Sequence, residues 1–271
     1  MTNLEKYYNK FNEDHRLTTR HGTVEFTTSI KYIHESIEEI KKMRSASKDE
    51  ASSDKIKILD VGAGTGRYSI ALSKEGYDVT AVELVERNLK VLESKHEKVK
   101  CWPGNAMDLS FLDDDVFDIT LLFGPIYHLM TEEEKLKAFS EAKRVTKSGG
   151  RILVSYVMND YSVLTYCFKQ NKIKECIERE SLTDDFHQIV TPDDLYSYLR
   201  LEDIDRLNEI TGLKRIKIIA ADGAADYMRR ELNALDEESF NWFIRYHLAN
   251  CERPELLGAS SHVVDVLLNE K

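Results

Sequence analysis

The stretch Ile58 to Leu72, ILDVGAGTGRYSIAL, places Gly62, Gly64 and Gly66 within five positions, between an apolar run and a segment of helical pattern. Glycine tolerates positive φ and has no Cβ, so a run of this kind suits a tight turn where backbone and ligand meet closely. A strand, a bare turn and a helix in that order form the opening unit of an open parallel sheet. Such sheets bind ligands outside the carboxyl ends of their strands.

The rest of the chain extends that unit. Short apolar runs KIKILDV, DVTAVE, VKCWPGNA, FDITLLF, RILVSYVM and KRIKIIAADG, and a last one near SHVVDVLLNE, are separated by segments of helical pattern. Alternation of this type predicts an α/β fold: a doubly wound, mostly parallel, seven-stranded sheet. Helices are expected through Leu72, from Arg87 to Lys95, over EEEKLKAFSEAKRV with the glycines of TKSGG ending it, and over LEDIDRLNEITGL closed by Gly212. A further helix pair is expected through Leu248.

Before the sheet, Ile30, Ile33, Ile37 and Ile40 recur at spacings of 3, 4 and 3, so residues 24–43 read as a helix with one apolar side. Glu35, Glu38, Glu39 and Lys42 fall on its other side. Arg44 to Lys55, RSASKDEASSDK, lacks periodicity and reads as a solvated connector. Residues 160–200 break the strand and helix rhythm, with a helix expected from Ser162 to Glu178 and then DDFHQIVTPDDLYSYLR. The organisation expected is a single domain over 1–271, with a helical cap and linker in 1–54 and a substrate-lid insertion in 158–200 after strand 5.

Composition narrows the partners. A formal charge of -10 disfavours a phosphate backbone as ligand. No apolar run approaches the roughly 20 residues of a membrane span, and the first residues, MTNLEKYYNKFNEDHR, are polar, so a cytoplasmic protein is expected. Cys101, Cys167, Cys176 and Cys251 form no CxxC pair and show no zinc-like spacing with histidine, so neither a disulfide framework nor a metal is expected. A monomer or homodimer is compatible with all of this.

The spacing of the glycines departs from G-x-G-x-x-G, because Arg67 stands where a dinucleotide loop has its third glycine. LDVGAGTG instead resembles the first motif of the class I S-adenosylmethionine (SAM)-dependent methyltransferases. VTAVELVERNL resembles that family's second strand, WPGNAMDLSF the segment after its third, FDITLLFGPIYHL the fourth strand and its loop, and EAKRVTKSGGRILVS the helix, turn and fifth strand. The resemblance covers roughly residues 56–157. It implies a Rossmann-like fold with SAM as cofactor and S-adenosylhomocysteine as product.

It also implies roles for individual residues. Gly62, Ala63 and Gly64 would form the cofactor loop, and Asp60 would order it and approach the amino end of SAM. Glu83 would bind both ribose hydroxyls, and Leu84 would lie against adenine. Asn105 and the Ala106 amide would read the adenine edge, with Met107 flanking its face and Phe123 at the end of the fourth strand. Asn105 replaces the more usual aspartate, yet an amide oxygen also accepts from the adenine amino group. Tyr8 or Arg20 would reach the carboxylate end. A carboxylate such as Glu83, about 20 residues beyond the loop, is chemically suited to accept from two vicinal hydroxyls.

SAM carries its own activated methyl, so a protein needs mainly to hold a nucleophile in line. Phe123 and Gly124 before a single Pro125 do not match the D/N-P-P-Y/F of adenine and glutamine N-methyltransferases, and CWP reverses the Pro-Cys order of a cytosine C5 nucleophile. There is no apparent Asp cluster with a Lys for a magnesium-dependent catechol mechanism. Tyr127 and His128 remain as catalytic candidates. Imidazole takes a proton at neutral pH, though His128 serves equally well as a packing or capping residue. Phe186, His187, Tyr196 and Tyr198 are candidate pocket walls.

The expected function is methyl transfer to an oxygen or nitrogen of a small molecule. A non-catalytic module that binds SAM or S-adenosylhomocysteine is the alternative. RNA or protein methylation would gain if KHEKVK and KRIK met on one face, and a dehydrogenase stands furthest off.

Overall fold

The computed structural model describes Tyr7, residues 19–47 and residues 55–271. Seven strands form one sheet: β1 Lys57–Val61, β2 Asp78–Glu83, β3 Val99–Pro103, β4 Phe117–Leu122, β5 Thr146–Val157, β6 Lys214–Ala220 and β7 His262–Leu268. Their order is β3-β2-β1-β4-β5-β7-β6. β1 to β5 pair in parallel, whereas β7 runs antiparallel to both β5 and β6. The chain order reverses between β1 and β4, which opens the crevice where such sheets take ligands.

The central strands are apolar on both faces, and their alternation divides the core in two. Leu59, Val61, Leu122, Ile152 and Val154 face one cluster with Phe139, Ala142, Ile204 and Leu207. These come from α4 (Glu132–Val145) and α7 (Leu201–Thr211). Ile58, Ile119, Leu121, Leu153, Val264 and Val266 face the other, against Ile33, Ile37 and Ile40 of α1 (Arg20–Ser47) and Leu72 of α2 (Arg67–Lys74).

The isoleucine stripe predicted a helix, and that N-terminal helix is present as α1. α1 lies along the sheet as a covering layer, because a stripe this long needs a broad apolar face to bury it. Its carboxyl end carries Arg44, which the sequence placed in the solvated connector. Arg44 instead pairs with the buried Asp118 at the start of β4, which also accepts from Lys147 Nζ and from the Lys57 amide. Glu35 and Glu39 bond Lys217 and Arg151 on neighbouring strands. The rest of the connector, 48–54, lies outside the described residues.

α3 (Glu86–Ser94) crosses from β2 to β3. α4 opens on a capping box, with Thr131 Oγ1 accepting from the Glu134 amide and Glu134 accepting from the Thr131 amide. Glycine does not end α4, contrary to the sequence reading. Thr146 turns straight into β5, its hydroxyl donating to the Ala142 carbonyl, and Gly149 and Gly150 fall inside the strand where the register against β4 shifts. A Cβ on Gly150 would stand 2.9 Å from the Asp118 carbonyl oxygen, so the crossing strand, not a helix end, demands that glycine. α7 does end on Gly212, at φ 65°.

The insertion is less regular than expected. The predicted helix divides into α5 (Asn159–Ser162), a π-helical turn Val163–Lys169 and α6 (Ile173–Glu178), with Asn171 left-handed at the break. After β6 come α8 (Arg229–Ala234) and α9 (Glu237–Asn250), the expected pair. The basic runs KHEKVK and KRIK lie at β3 and β6, the two opposite edges of the sheet, so they do not meet. No described helix is long and apolar enough to cross a membrane.

Candidate active site

The β1 turn has φ of 77°, 57° and 88° at Gly62, Gly64 and Gly66. Each glycine has its own reason. A Cβ on Gly62 would lie 2.7 Å from Pro125 Cδ, so bareness there brings the β1 and β4 loops together. A Cβ on Gly66 would meet Leu92 Cδ1 at 2.2 Å, so this glycine lets the turn sit against α3. That is the close-packing duty of the third glycine in a dinucleotide loop, reached one residue earlier. Arg67, at that third position, lies over the Phe26 ring.

The amides of the turn are engaged within the fold. Gly62 and Ala63 amides donate to the Val82 carbonyl, at 2.8 and 3.2 Å, and Gly66 donates to Ala63. The Gly64 amide donates to Glu83 Oε2 at 2.7 Å. These internal bonds fix the curvature of the turn, so what it offers a ligand is close approach.

Glu83 ends β2 and is only 5% exposed. Its Oε1 accepts from the Val85 amide at 2.7 Å, so both oxygens are clamped by main chain. Leu84 next to it is 43% exposed, an apolar side chain left at the mouth of the crevice. After β3, Asn105 Oδ1 accepts from the Met107 amide at 3.0 Å, an Asx turn that fixes Ala106, buried, and Met107, half-buried. Glu83 and this turn are neighbours through the β2–β3 pairing, Glu83 opposite Pro103.

Asp60 is buried behind the loop and accepts from Ser69 Oγ of α2 at 2.5 Å. Burial pushes its carboxyl up to about 6, against the pull of the Ser69 bond. Its observed contact ties strand to helix and so orders the loop.

Gly124 follows β4 at φ 150°, and Pro125–His128 form a 3-10 turn. The Tyr127 hydroxyl sits beside Gly124, 3.8 Å from where a Cβ would be, and the Gly62 carbonyl lies 3.6 Å from that point. Tyr127 is buried among His128, Tyr196 and His262, with ring separations of 4.8, 6.0 and 6.1 Å. His128 Nδ1 donates to the Leu195 carbonyl at 2.8 Å, and the Ser197 amide donates to the Tyr127 carbonyl at 2.8 Å. The β4 loop is therefore stitched to the insertion. Phe123 turns the other way, edge-on to Tyr68 at 5.0 Å.

The remaining predicted residues are scattered. Arg20 donates to the Asn233 carbonyl and lies over the Phe240 ring, so its described contacts are with α8 and α9. Tyr8 lies outside the described residues. Its neighbour Tyr7 meets Tyr196 edge-on at 6.3 Å. Tyr196 and Tyr198 line a cleft of about 590 Å³ with Asn159, Cys167 and Gln188, while Phe186 and His187 do not line it. The four cysteines are free thiols.

One group has no signature in the sequence. Glu25 of α1, Asp222 after β6 and His262 at the start of β7 bring one side-chain atom each within 4.8 Å of one another. Spread across the chain, they meet only because β7 is antiparallel and β6 ends beside it.

Residues 59–154 match the family model described as a methyltransferase domain. Demethylmenaquinone methyltransferases of Renibacterium salmoninarum and Staphylococcus aureus (strain MRSA252) are 35% identical over 99 residues and 38% over 104, each match taking 36% of this chain and 40% and 42% of theirs. The chain thus spans about two fifths of the length of these curated relatives. Among solved structures, a SAM-dependent methyltransferase from Methanosarcina mazei superposes with a TM-score of 0.54 at 13% identity, covering 80% of this chain and 94% of its own. One from Thermotoga maritima gives 0.50 at 19% identity, over 80% and 83%. Those two share the fold. Residues 59–154 thus match a methyltransferase domain, and the seven-stranded sheet with its reversed seventh strand is the fold of these SAM-dependent methyltransferases.

Proposed function

We propose that the protein transfers the methyl group of SAM to an oxygen or nitrogen of a small-molecule acceptor and releases S-adenosylhomocysteine. The observation that carries this reading is Glu83, buried at the β2 tip beside the bare β1 turn and held there by the Gly64 and Val85 amides. Such a group grips a ribose diol through charge-assisted bonds, which contribute roughly 1.5–3 kcal/mol each.

In this reading Leu84, Ala106 and Met107 hold adenine between apolar surfaces while Asn105 shapes their turn. Gly62, Ala63 and Gly64 allow the amino acid part of SAM to lie against the backbone, with Asp60 bracing the loop from behind. Bound SAM supplies the electrophilic methyl and the leaving thioether. The protein aligns the acceptor and excludes water, and the Tyr127 turn is the wall beside the Gly62 and Gly124 backbone. The insertion, 158–200, supplies the acceptor pocket through Tyr196 and Tyr198. Since His128 Nδ1 is a donor to Leu195, a neutral His128 keeps its lone pair on Nε2.

The match to the demethylmenaquinone methyltransferases takes about two fifths of their length, so their acceptor does not carry over with it. The free cysteines fit a reducing, cytoplasmic setting. Incubating the protein with SAM and a deproteinised metabolite extract tests the activity. Release of S-adenosylhomocysteine above the extract-free rate is the expected result. SAM binding with no release from any extract would leave a binding module.

A further inference from the structure

We propose that His262, backed by Asp222, takes the proton from the attacking heteroatom of the acceptor, so that the acceptor is a group needing deprotonation at its nucleophilic oxygen or nitrogen. The inference rests on the methyltransferase reading and adds to it a proton acceptor from the far end of the chain.

Position comes first. His262 is the first residue of β7 and pairs with Val157, the last of β5. An antiparallel strand enters where its parallel neighbours leave, so His262 stands on the ligand-binding edge although it belongs to the last strand. Its ring lies 6.1 Å from that of Tyr127, whose hydroxyl borders the Gly124 and Gly62 backbone. One aromatic ring thus separates the imidazole from the place where the β1 and β4 loops converge.

Hydrogen bonding fixes the tautomer. His262 Nδ1 lies 2.8 Å from Asp222 Oδ2, and a carboxylate only accepts, so this nitrogen carries a proton, and in the neutral imidazole the lone pair falls on Nε2. Asp222 is itself oriented: Oδ1 accepts from the His262 amide at 2.9 Å and lies 2.8 Å from Ser260 Oγ, whose single proton it shares with the His262 carbonyl at 2.6 Å. Main-chain and hydroxyl partners on one buried carboxylate fit a group built to orient an imidazole and to stabilise its cation. The same arrangement leaves Nδ1 no lone pair for a metal, although Glu25 Oε2 approaches it to 3.9 Å.

The step balances without another reagent. The acceptor O–H or N–H gives its proton to His262 Nε2 as the heteroatom lone pair forms the bond to the methyl carbon. The S–CH₃ bond breaks with its electron pair going to sulfur, which becomes the neutral thioether of the product. The imidazolium, held by Asp222, then returns its proton to solvent.

Diethylpyrocarbonate, which acylates an unprotonated imidazole nitrogen, is the probe for the full-length protein, with the site of modification read by mass spectrometry. We expect His262 to be modified near neutral pH, to be protected at least fivefold by saturating S-adenosylhomocysteine, and to react more slowly in Asp222→Asn. His262→Gln should bind SAM within twofold of wild type while methyl transfer to a metabolite extract falls about 100-fold, a typical loss for a general base. In Asp222→Asn the acidic limb of the pH–rate profile should move to lower pH, because the imidazolium loses its partner. Unmodified His262, modification indifferent to S-adenosylhomocysteine, or turnover kept by His262→Gln would overturn the proposal. Should His262→Gln misfold, the wild-type protection and the Asp222→Asn profile decide. Failure of the wild-type protein to bind SAM counts instead against the methyltransferase reading.

Discussion

The two sides of the crevice are built in different ways. On the cofactor side, the contacts of the proposed function lie within one stretch from Asp60 to Met107, and its polar side chains are fixed by bonds to neighbouring turns: Glu83 to Gly64 and Val85, Asn105 to Met107, Asp60 to Ser69. On the acceptor side, the wall is assembled from segments far apart in the chain. Tyr127 and His128 come from the β4 loop, Tyr196 from the insertion, Glu25 from α1 and His262 from β7. A seat made of local turns is the same wherever its motif occurs. A wall made of distant pieces changes whenever one connection changes, which suits a fold that keeps one cofactor and varies its acceptor.

The sharpest way to break this comparison is to damage the cofactor side alone. Gly62→Val combines a strained positive φ with a Cβ 2.7 Å from Pro125 Cδ, for an expected cost of about 3 kcal/mol and more than 100-fold in SAM affinity. Calorimetry and melting curves check it, and near wild-type binding would show that the two loops need not touch.

Asp60 tests whether the bracing behind the seat has the cost that burial implies. Its folded-state pKa, about 6, lies above the 3.8 of a free carboxyl, so the folded protein holds the proton more tightly. That contribution is fully present below about pH 4 and is lost as pH rises through 6, a swing of about 3 kcal/mol at most. Asp60→Asn should remove this part of the pH dependence, so denaturant midpoints of variant and wild type should converge toward low pH. Parallel curves from pH 4 to 8 would deny the shift.

Next in size, Glu83→Ala should weaken SAM roughly tenfold to a hundredfold, leaving the Tyr127–Tyr196 wall intact. The smallest effect belongs to the other side. Tyr196→Ala should leave SAM affinity unchanged and raise the KM of an extract-derived acceptor about fivefold, since one aromatic contact contributes about 1 kcal/mol. A change in SAM affinity there would mean that the two sides are not independent.

The same division explains what the sequence disclosed. Short apolar runs and the bare turn announced the sheet, because both are local consequences of backbone geometry. Asp60, Glu83 and Asn105 lie at or just beyond the carboxyl ends of β1, β2 and β3, positions that the same local pattern made readable. The ending of α4 was misjudged because Gly149 and Gly150 serve a strand crossing that only the Asp118 carbonyl reveals. Arg44 looked solvated because its partner Asp118 is far along the chain. Asp222 and His262 left no trace at all, since their meeting depends on the reversed direction of β7.

A calorimetric titration of the wild-type protein with SAM, with NAD run alongside, tests the central claim most directly. The account predicts saturable one-site binding of SAM and no heat from the dinucleotide. Absence of SAM binding, or a preference for NAD, would contradict it.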